Sequence, residues 1–363
     1  MHKKVIIVTG GGTGGHLMPA ISICEELHKQ NFVTILITDK RCENYLPKDL
    51  DFKVVIIEVA RANGIFSYYK PIITGIKSLI SILCLIRKTK PQLVIACGGY
   101  SSLPVLLASI IARVKFALHE QNAVIGTVNY LLSYLSQRLF ISFIHTINLP
   151  LIDSKKIILT GIPILESHNK DTEFFMKKKS DIITIMCTGG SQGASIFDEL
   201  LPKTMEVLVS KLPETKFNII QQVRRADCDH LVKRYKEIGV NADVSKFYHN
   251  ISEKYLCADI FISRSGAGTV NEIIHYALSA ILVPYPHAKN NHQMHNAMNL
   301  VEFRAAWLIK QEKISPEILA TKIQEILEDK DALLYAQNQL KKLQIDSRKI
   351  ITQEIHKIID KTS

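Results

Sequence analysis

Twice along the chain a short apolar run stops at a cluster of glycines and passes at once into a helical pattern: "VIIVTGGGTGGHLMPA" (5–20) and "IITIMCTGGSQGAS" (182–195). Around the first lie "TILIT" (34), "VVIIEV" (54), "LVIAC" (93), "FALHE" (116) and "LFISF" (139); around the second, "FNIIQQ" (217), "ADIFISR" (258) and "AILVPY" (280). β-branched runs separated by helices specify parallel sheets covered on both faces. The expectation is therefore α/β, two doubly wound Rossmann-like domains in series. Such sheets bind ligands at the carboxyl ends of their strands, so the active site is expected in a cleft between the domains. The seam is expected in "TGIPILESHNKDTEFFMKKKSD" (160–181), where apolar periodicity lapses. The tail from about 315 is helical, with Ser315 as N-cap and Pro316 at the first helical position.

Length and composition agree with this reading, since 363 residues suit two domains and 47% hydrophobic with 22% charged residues is globular. Seven scattered cysteines without a C-x-x-C pair point to a reducing compartment and against a disulfide framework or zinc site. The apolar run at the N-terminus is too short for a signal peptide, which places the protein in the cytoplasm. The longest apolar stretch, "PIITGIKSLISILCLI" (71–86), is too short and too interrupted to cross a bilayer. The formal charge is uneven, +9 over residues 1–160 and +2 over the remainder. Lys70, Lys77, Arg87, Lys88 and Lys90 flank that stretch, which suits an anionic membrane surface; the alternative is a core helix with solvated basic ends. Nucleic acid is not expected as a partner, because the interleaved aromatic residues of a stacking platform are missing.

Glycine lets a backbone approach a ligand, and the N–H groups opening the next helix favour an anion such as phosphate. Two such turns, Gly10–Gly15 and Gly189, Gly190, Ser191, Gln192 and Gly193, imply two phosphorylated ligands. Gly10, Gly12 and Gly15 also satisfy G-x-G-x-x-G, with Asp39 ending the second strand where a dinucleotide-binding fold has its ribose carboxylate. The repeated device disfavours that alternative, because one nicotinamide cofactor needs one turn. A third turn, Gly98, Gly99 and Tyr100, stands ready to cradle the same anion as Gly10–Gly15, and His119, Glu120 and Asn122 cluster at the next strand exit. In "SRSGAGTVNEI", Ala267, Gly268 and Thr269 open a helix and Glu272 lies one turn in, suited to accept both hydroxyls of a ribose. His292 and Gln293 suit sugar hydroxyls; metal ligation by His287, His292 and His295 lacks a carboxylate or cysteine partner.

The ordered set "GGTGGH", "GGYSSLP", "HEQN", "GGSQGA", "SGAGTVNE" and "NNHQMHNA" resembles the MurG family, UDP-N-acetylglucosamine transferases acting on undecaprenyl-pyrophosphoryl-MurNAc-pentapeptide (lipid I). The resemblance runs from about residue 5 to about 300. It implies a GT-B fold, with an acceptor and membrane-associating domain at 1–162, a UDP-GlcNAc domain at 163–340, and a C-terminal helix at 341–363 packing back on the first. It implies transfer of GlcNAc to the MurNAc C4 hydroxyl, giving lipid II for peptidoglycan, at the inner face of the cytoplasmic membrane beside other cell-wall synthesis proteins. Thr13, Gly14, Gly15 and Asn122 would contact donor sugar or acceptor pyrophosphate; Ser191, Phe247, Thr269, Glu272, His292 and Gln293 would line the donor pocket. The family usually reads G-N-P-[VI]-R where this chain has Gly161, Ile162, Pro163, Ile164 and Leu165, so the usual arginine is absent.

Attack by a hydroxyl on the anomeric carbon inverts it and needs a base near neutral pKa; His16, at a strand end beside a helix N-terminus, fits, with His119 and Glu120 as reserves. No cofactor and no metal is expected. The D-x-D tripeptides at Asp49, Asp227 and Asp329 follow no strand at the cleft and read as surface. A UDP-GlcNAc 2-epimerase is the main alternative, disfavoured because it needs no basic apolar segment; a non-catalytic nucleotide-sugar binding module is the next, disfavoured by His16 at the expected cleft.

Overall fold

In the computed structural model, residues 4–59, 69–165, 181–190, 193–248 and 250–360 are described, the side chains of 69–72 excepted. The chain divides into one unit of residues 1–167 with 345–363 and another of 168–344.

The first unit runs β1 (Val5–Thr9), α1 (Gly14–Lys29), β2 (Val33–Asp39), β3 (Lys53–Ile57), α2 (Tyr69–Thr89), β4 (Leu93–Ala96), α3 (Ser102–Ile111), β5 (Phe116–Glu120), α4 (Thr127–Ser133), β6 (Arg138–Ile141) and β7 (Ile157–Leu159). Its sheet is parallel, in the order β3-β2-β1-β4-β5-β6-β7. Alternate residues of β1 leave opposite faces, as the two-residue period requires. Ile6 and Val8 enter one core with Leu17, Ile21, Cys24 and Leu27 of α1; Ile7 enters the other with Ile82 and Ile86 of α2 and Val105 and Leu106 of α3. Burial on both faces is why these strands read as unbroken apolar runs.

The second unit runs β8 (Ile182–Thr188), α5 (Ile196–Lys211), β9 (Lys216–Gln222), α6 (Cys228–Glu237), β10 (Asn241–Ser245), α7 (Ile251–Cys257), β11 (Ile260–Ser263), α8 (Ala267–Tyr276), β12 (Ala280–Leu282), α9 (His292–Val301), β13 (Trp307–Leu308), α10 (Pro316–Glu328) and α11 (Lys330–Leu343). Its parallel sheet has the order β10-β9-β8-β11-β12-β13. Strands β10 and β13 escape a hydrophobic reading because "NADVS" is a polar edge and β13 is two residues long.

The last helix, α12 (Ser347–Asp360), returns to the first unit and adds Ile351, Ile355, Ile358 and Ile359 to the core of α1. Glu354 pairs with Arg138 at 2.8 Å, and His356 meets Gln30 at 2.9 Å. The return starts at Ile345 rather than 341, because α11 continues to Leu343 and its C-cap, Gln344, donates to the carbonyls of Ile274 and His275. Likewise the first unit extends past 162: Leu165 packs against its core and Ser22 Oγ donates to the Ile164 carbonyl at 2.6 Å.

Candidate functional site

In both sheets strand order reverses between the first strand and the one beside it, β1 against β4 and β8 against β11. At such a reversal the flanking helices depart to opposite faces and leave a crevice at the strands' carboxyl ends. The glycine turns follow β1, β4 and β8, and the Gly266–Gly268 turn follows β11, so all four border a reversal.

In the first unit the turns after β1 and β4 interlock. A Cβ on Gly99 would lie 2.0 Å from the Gly11 carbonyl oxygen, and Gly99 has φ +85°, so neither a side chain nor an ordinary L backbone is tolerated there. His16, in the first turn of α1, lies against the same loop: its Nδ1 is 3.4 Å from where a Gly98 Cβ would stand. Thr13 is the N-cap of α1, with extended backbone and a side chain that makes no cap hydrogen bond, so Thr13, Gly14 and Gly15 present the helix N-terminus. Tyr100 is exposed at the rim.

The reserve bases are placed otherwise. His119 is fully buried on β5, with Nε2 donating to the Gly161 carbonyl at 2.9 Å and Nδ1 accepting from Gln121 at 3.1 Å. Burial, reinforced by nearby His16, holds its pKa down at about 4, although the Gly161 carbonyl opposes this. Both nitrogens being occupied, His119 serves as a strut behind the turns rather than a base. Glu120 is also buried, taking the backbone N–H of Asn122 at 3.0 Å and of Gly126 at 2.9 Å and the Asn129 amide at 2.8 Å. Its carboxylate shapes the loop that carries half-buried Asn122.

Asp39 settles the dinucleotide alternative, because its carboxylate is 1% exposed and clasps Arg41 through Nε at 2.7 Å and Nη2 at 2.9 Å. Buried and turned onto Arg41, the carboxylate is not presented to a ribose.

In the second unit a Cβ on Gly189 would lie 2.0 Å from the Ala194 backbone nitrogen, so the turn after β8 closes on itself; Gly193 donates to the Gly190 carbonyl at 2.9 Å. Ser191 and Gln192 lie outside the described residues. Thr269, in the first turn of α8, has its hydroxyl 3.6 Å from a Cβ position on Gly190, which joins this turn to Ala267 and Gly268. Glu272 follows one turn later, half-buried, with Tyr255 donating to its Oε2 at 2.9 Å. Desolvation raises its pKa to about 7 against the lowering effect of that hydrogen bond. Gln293 accepts from the Tyr285 N–H at 2.9 Å, and its carbonyl accepts from Ser265, so the start of α9 is tied to the ends of β11 and β12. His292 bonds the Lys289 carbonyl through Nδ1 at 2.8 Å. Phe247 is exposed beyond the end of β10.

His287 stacks edgewise on Tyr285, and among the described residues no group of three or more His, Cys, Asp or Glu side chains is grouped to hold a metal. Asp227 and Asp329 are helix N-caps, accepting from the N–H groups of Asp229 and Ala332. Sequence reasoning missed Arg41, Tyr255 and Arg264. The last is a buried arginine at the end of β11 that donates to the carbonyls of Val283 and Pro284 and to Gln311. Each acts through a contact distant in sequence or without a motif.

Residues 6–141 match the glycosyltransferase family 28 N-terminal domain and 184–354 the glycosyltransferase family 28 C-terminal domain. A relative from Rickettsia felis, named UDP-N-acetylglucosamine--N-acetylmuramyl-(pentapeptide) pyrophosphoryl-undecaprenol N-acetylglucosamine transferase, is 34% identical over 98% of this chain and 100% of its own length. The crystal structure of Acinetobacter baumannii MurG is similar with a TM-score of 0.78 and 25% identity, over 98% of this chain and 99% of that one. A UDP-GlcNAc 2-epimerase from Neisseria meningitidis, with a TM-score of 0.66 and 15% identity over 98% of this chain and 100% of that one, shares the fold alone.

Proposed function

Because the chain belongs to the MurG family within glycosyltransferase family 28, we propose that it performs that family's reaction, moving GlcNAc from UDP-GlcNAc to the MurNAc C4 hydroxyl of lipid I to give lipid II. It is an N-acetylglucosaminyltransferase of the GT-B fold. The observation that carries this reading is a phosphate-suited glycine turn on both strands beside the reversal in each unit, one set for each phosphorylated substrate.

The second unit takes the sugar nucleotide. Backbone N–H groups of Ala267–Thr269, at the opening of α8 and beside Gly190, meet the diphosphate, and ionised Glu272 accepts the ribose hydroxyls. His292 and Gln293 face the sugar. The first unit takes the carrier pyrophosphate on the turns after β1 and β4. The C4 oxygen attacks the anomeric carbon, the carbon–oxygen bond to UDP breaks with inversion, the hydroxyl proton passes to the His16 imidazole, and the charge left on UDP meets the helix N-termini of the second unit.

A surface helix supports action at the inner face of the membrane. On α2, Ile73, Ile76 and Ile80 are each more than half exposed, while Ile82 and Ile86 on the opposite side are in the core. Lys77, Arg87 and Lys88 share the exposed side, and α3 adds exposed Leu103, Leu107 and Ile111. An apolar stripe bordered by cations suits an interface with anionic lipid, and among the described residues no helix is long and apolar enough to cross it.

The test is incubation with radiolabelled UDP-GlcNAc and a lipid I analogue, followed by separation of the lipid. Label in a disaccharide lipid is the expected result. Formation of UDP-ManNAc from UDP-GlcNAc alone, with no labelled lipid, would replace this reading with an epimerase.

A further inference from the structure

Arg41 follows β2 in a short helical turn of residues 40–45, and nothing in the transfer reaction described above uses it. Its guanidinium is nonetheless fixed from two directions. The buried Asp39 carboxylate takes the Nε and Nη2 hydrogens and also the Arg41 backbone N–H at 3.2 Å. The Tyr100 ring, from the turn after β4, lies 5.5 Å from the guanidinium carbon. Both fixings bring the group over the first glycine turn, where Nη2 is 3.4 Å from the position a Gly12 Cβ would occupy. Any side chain at residue 12 would fill the space between turn and cation.

Asp39 uses one edge of the fork. Among the described residues the other three N–H bonds meet no acceptor, and the side chain is 34% exposed. An ordinary surface ion pair contributes little and has no reason to be stacked and clasped at once. A planar fork held by a carboxylate on one edge, with Nη2 beside a glycine turn and donors to spare, is an arrangement that can grip a phosphate. A second group points the same way: Ser101 Oγ, wholly buried at the start of α3, lies 2.6 Å from the Gly11 Cβ position and has no hydrogen-bond partner among the described residues.

We propose that Arg41 is a binding residue for the pyrophosphate of the lipid-linked acceptor, oriented by Asp39 and Tyr100 over the turn after β1. This rests on the transferase reading and gives its acceptor site a cation. The same chemistry occurs in the sugar nucleotide, so the two substrates are read separately. Wild-type and Arg41→Gln enzymes are assayed with the lipid I analogue and UDP-GlcNAc varied in turn, with inorganic pyrophosphate as inhibitor and urea melts to follow folding.

The expected result is an acceptor KM raised about 10- to 100-fold, the range for losing a charge-assisted hydrogen bond. Pyrophosphate should compete with the acceptor more weakly in the variant while donor KM stays close to wild type; the urea midpoint falls, because the buried Asp39 carboxylate loses its charged partner, but the transition remains cooperative. An unchanged acceptor KM, or a rise confined to the donor KM, overturns the assignment while leaving the transferase intact. A wild-type enzyme that transfers nothing to the analogue overturns the transferase reading itself, and this proposal with it. Should Arg41→Gln not fold, Arg41→Lys keeps the ion pair and removes the fork; an acceptor KM raised at least about threefold is then expected, and an unchanged one sinks the proposal.

Discussion

His16, His119 and Glu272 are all titratable groups near the crevices, and their surroundings separate their roles. His119 has both nitrogens hydrogen-bonded in the interior and a pKa near 4, so it stays neutral at working pH without a lone pair to offer. His16 faces the glycine loop from a helix N-terminus. Replacing His16 with alanine is expected to cut turnover by about 100-fold or more while UDP-GlcNAc binding, measured by calorimetry, stays near wild type. Glu272 behaves in the opposite way from His119. Burial raises its pKa from 4.5 to about 7, so the proton is held below neutrality and lost above it. Only the ionised form accepts from both ribose hydroxyls, so the KM for UDP-GlcNAc should fall about tenfold between about pH 6 and about pH 8. Glu272→Gln should give a high and flat profile; a wild-type profile that is already flat would remove the carboxylate from ribose binding. The glycines, Glu272 and His16 stand in local motifs and were legible in sequence. The bonds that occupy His119 were not, because Gly161 is 42 residues away.

Among the elements, α12 depends most on distant packing. Its sequence, "SRKIITQEIHKIID", has isoleucines at helical spacing, which identifies an amphipathic helix without naming what covers it. In the fold that face meets α1, and Ile355 is fully buried. Ile355→Ala should therefore destabilise the first unit by about 2–5 kcal/mol, read as a shift in the urea midpoint of its transition. A change confined to the second unit would contradict this placement. Helix α2 was ambiguous for a related reason. Apolar residues lie all round it, and a list of residues does not tell which isoleucines the sheet covers. The fold covers Ile82 and Ile86 and leaves Ile73, Ile76 and Ile80 outside.

At the scale of the whole molecule, the net charge of +11 lies mostly in the unit that carries the exposed apolar stripe. Electrostatic attraction adds to apolar burial at an anionic surface and is screened by salt. Binding to vesicles containing phosphatidylglycerol should exceed binding to neutral phosphatidylcholine vesicles and weaken as salt rises, in a sedimentation assay; equal binding to both would argue against a lipid-facing role. The residues alone determined the fold class, the two-unit plan and the glycine turns, because strand–helix alternation and the freedom of glycine are properties of short segments. They could not determine that both β1 and β8 lie beside the strand at which order reverses, nor that β2 brings an arginine over the turn after β1. Strand order, burial and the pairing of Asp39 with Arg41 against Tyr100 arise only when segments far apart in the chain compete for the same faces of a sheet.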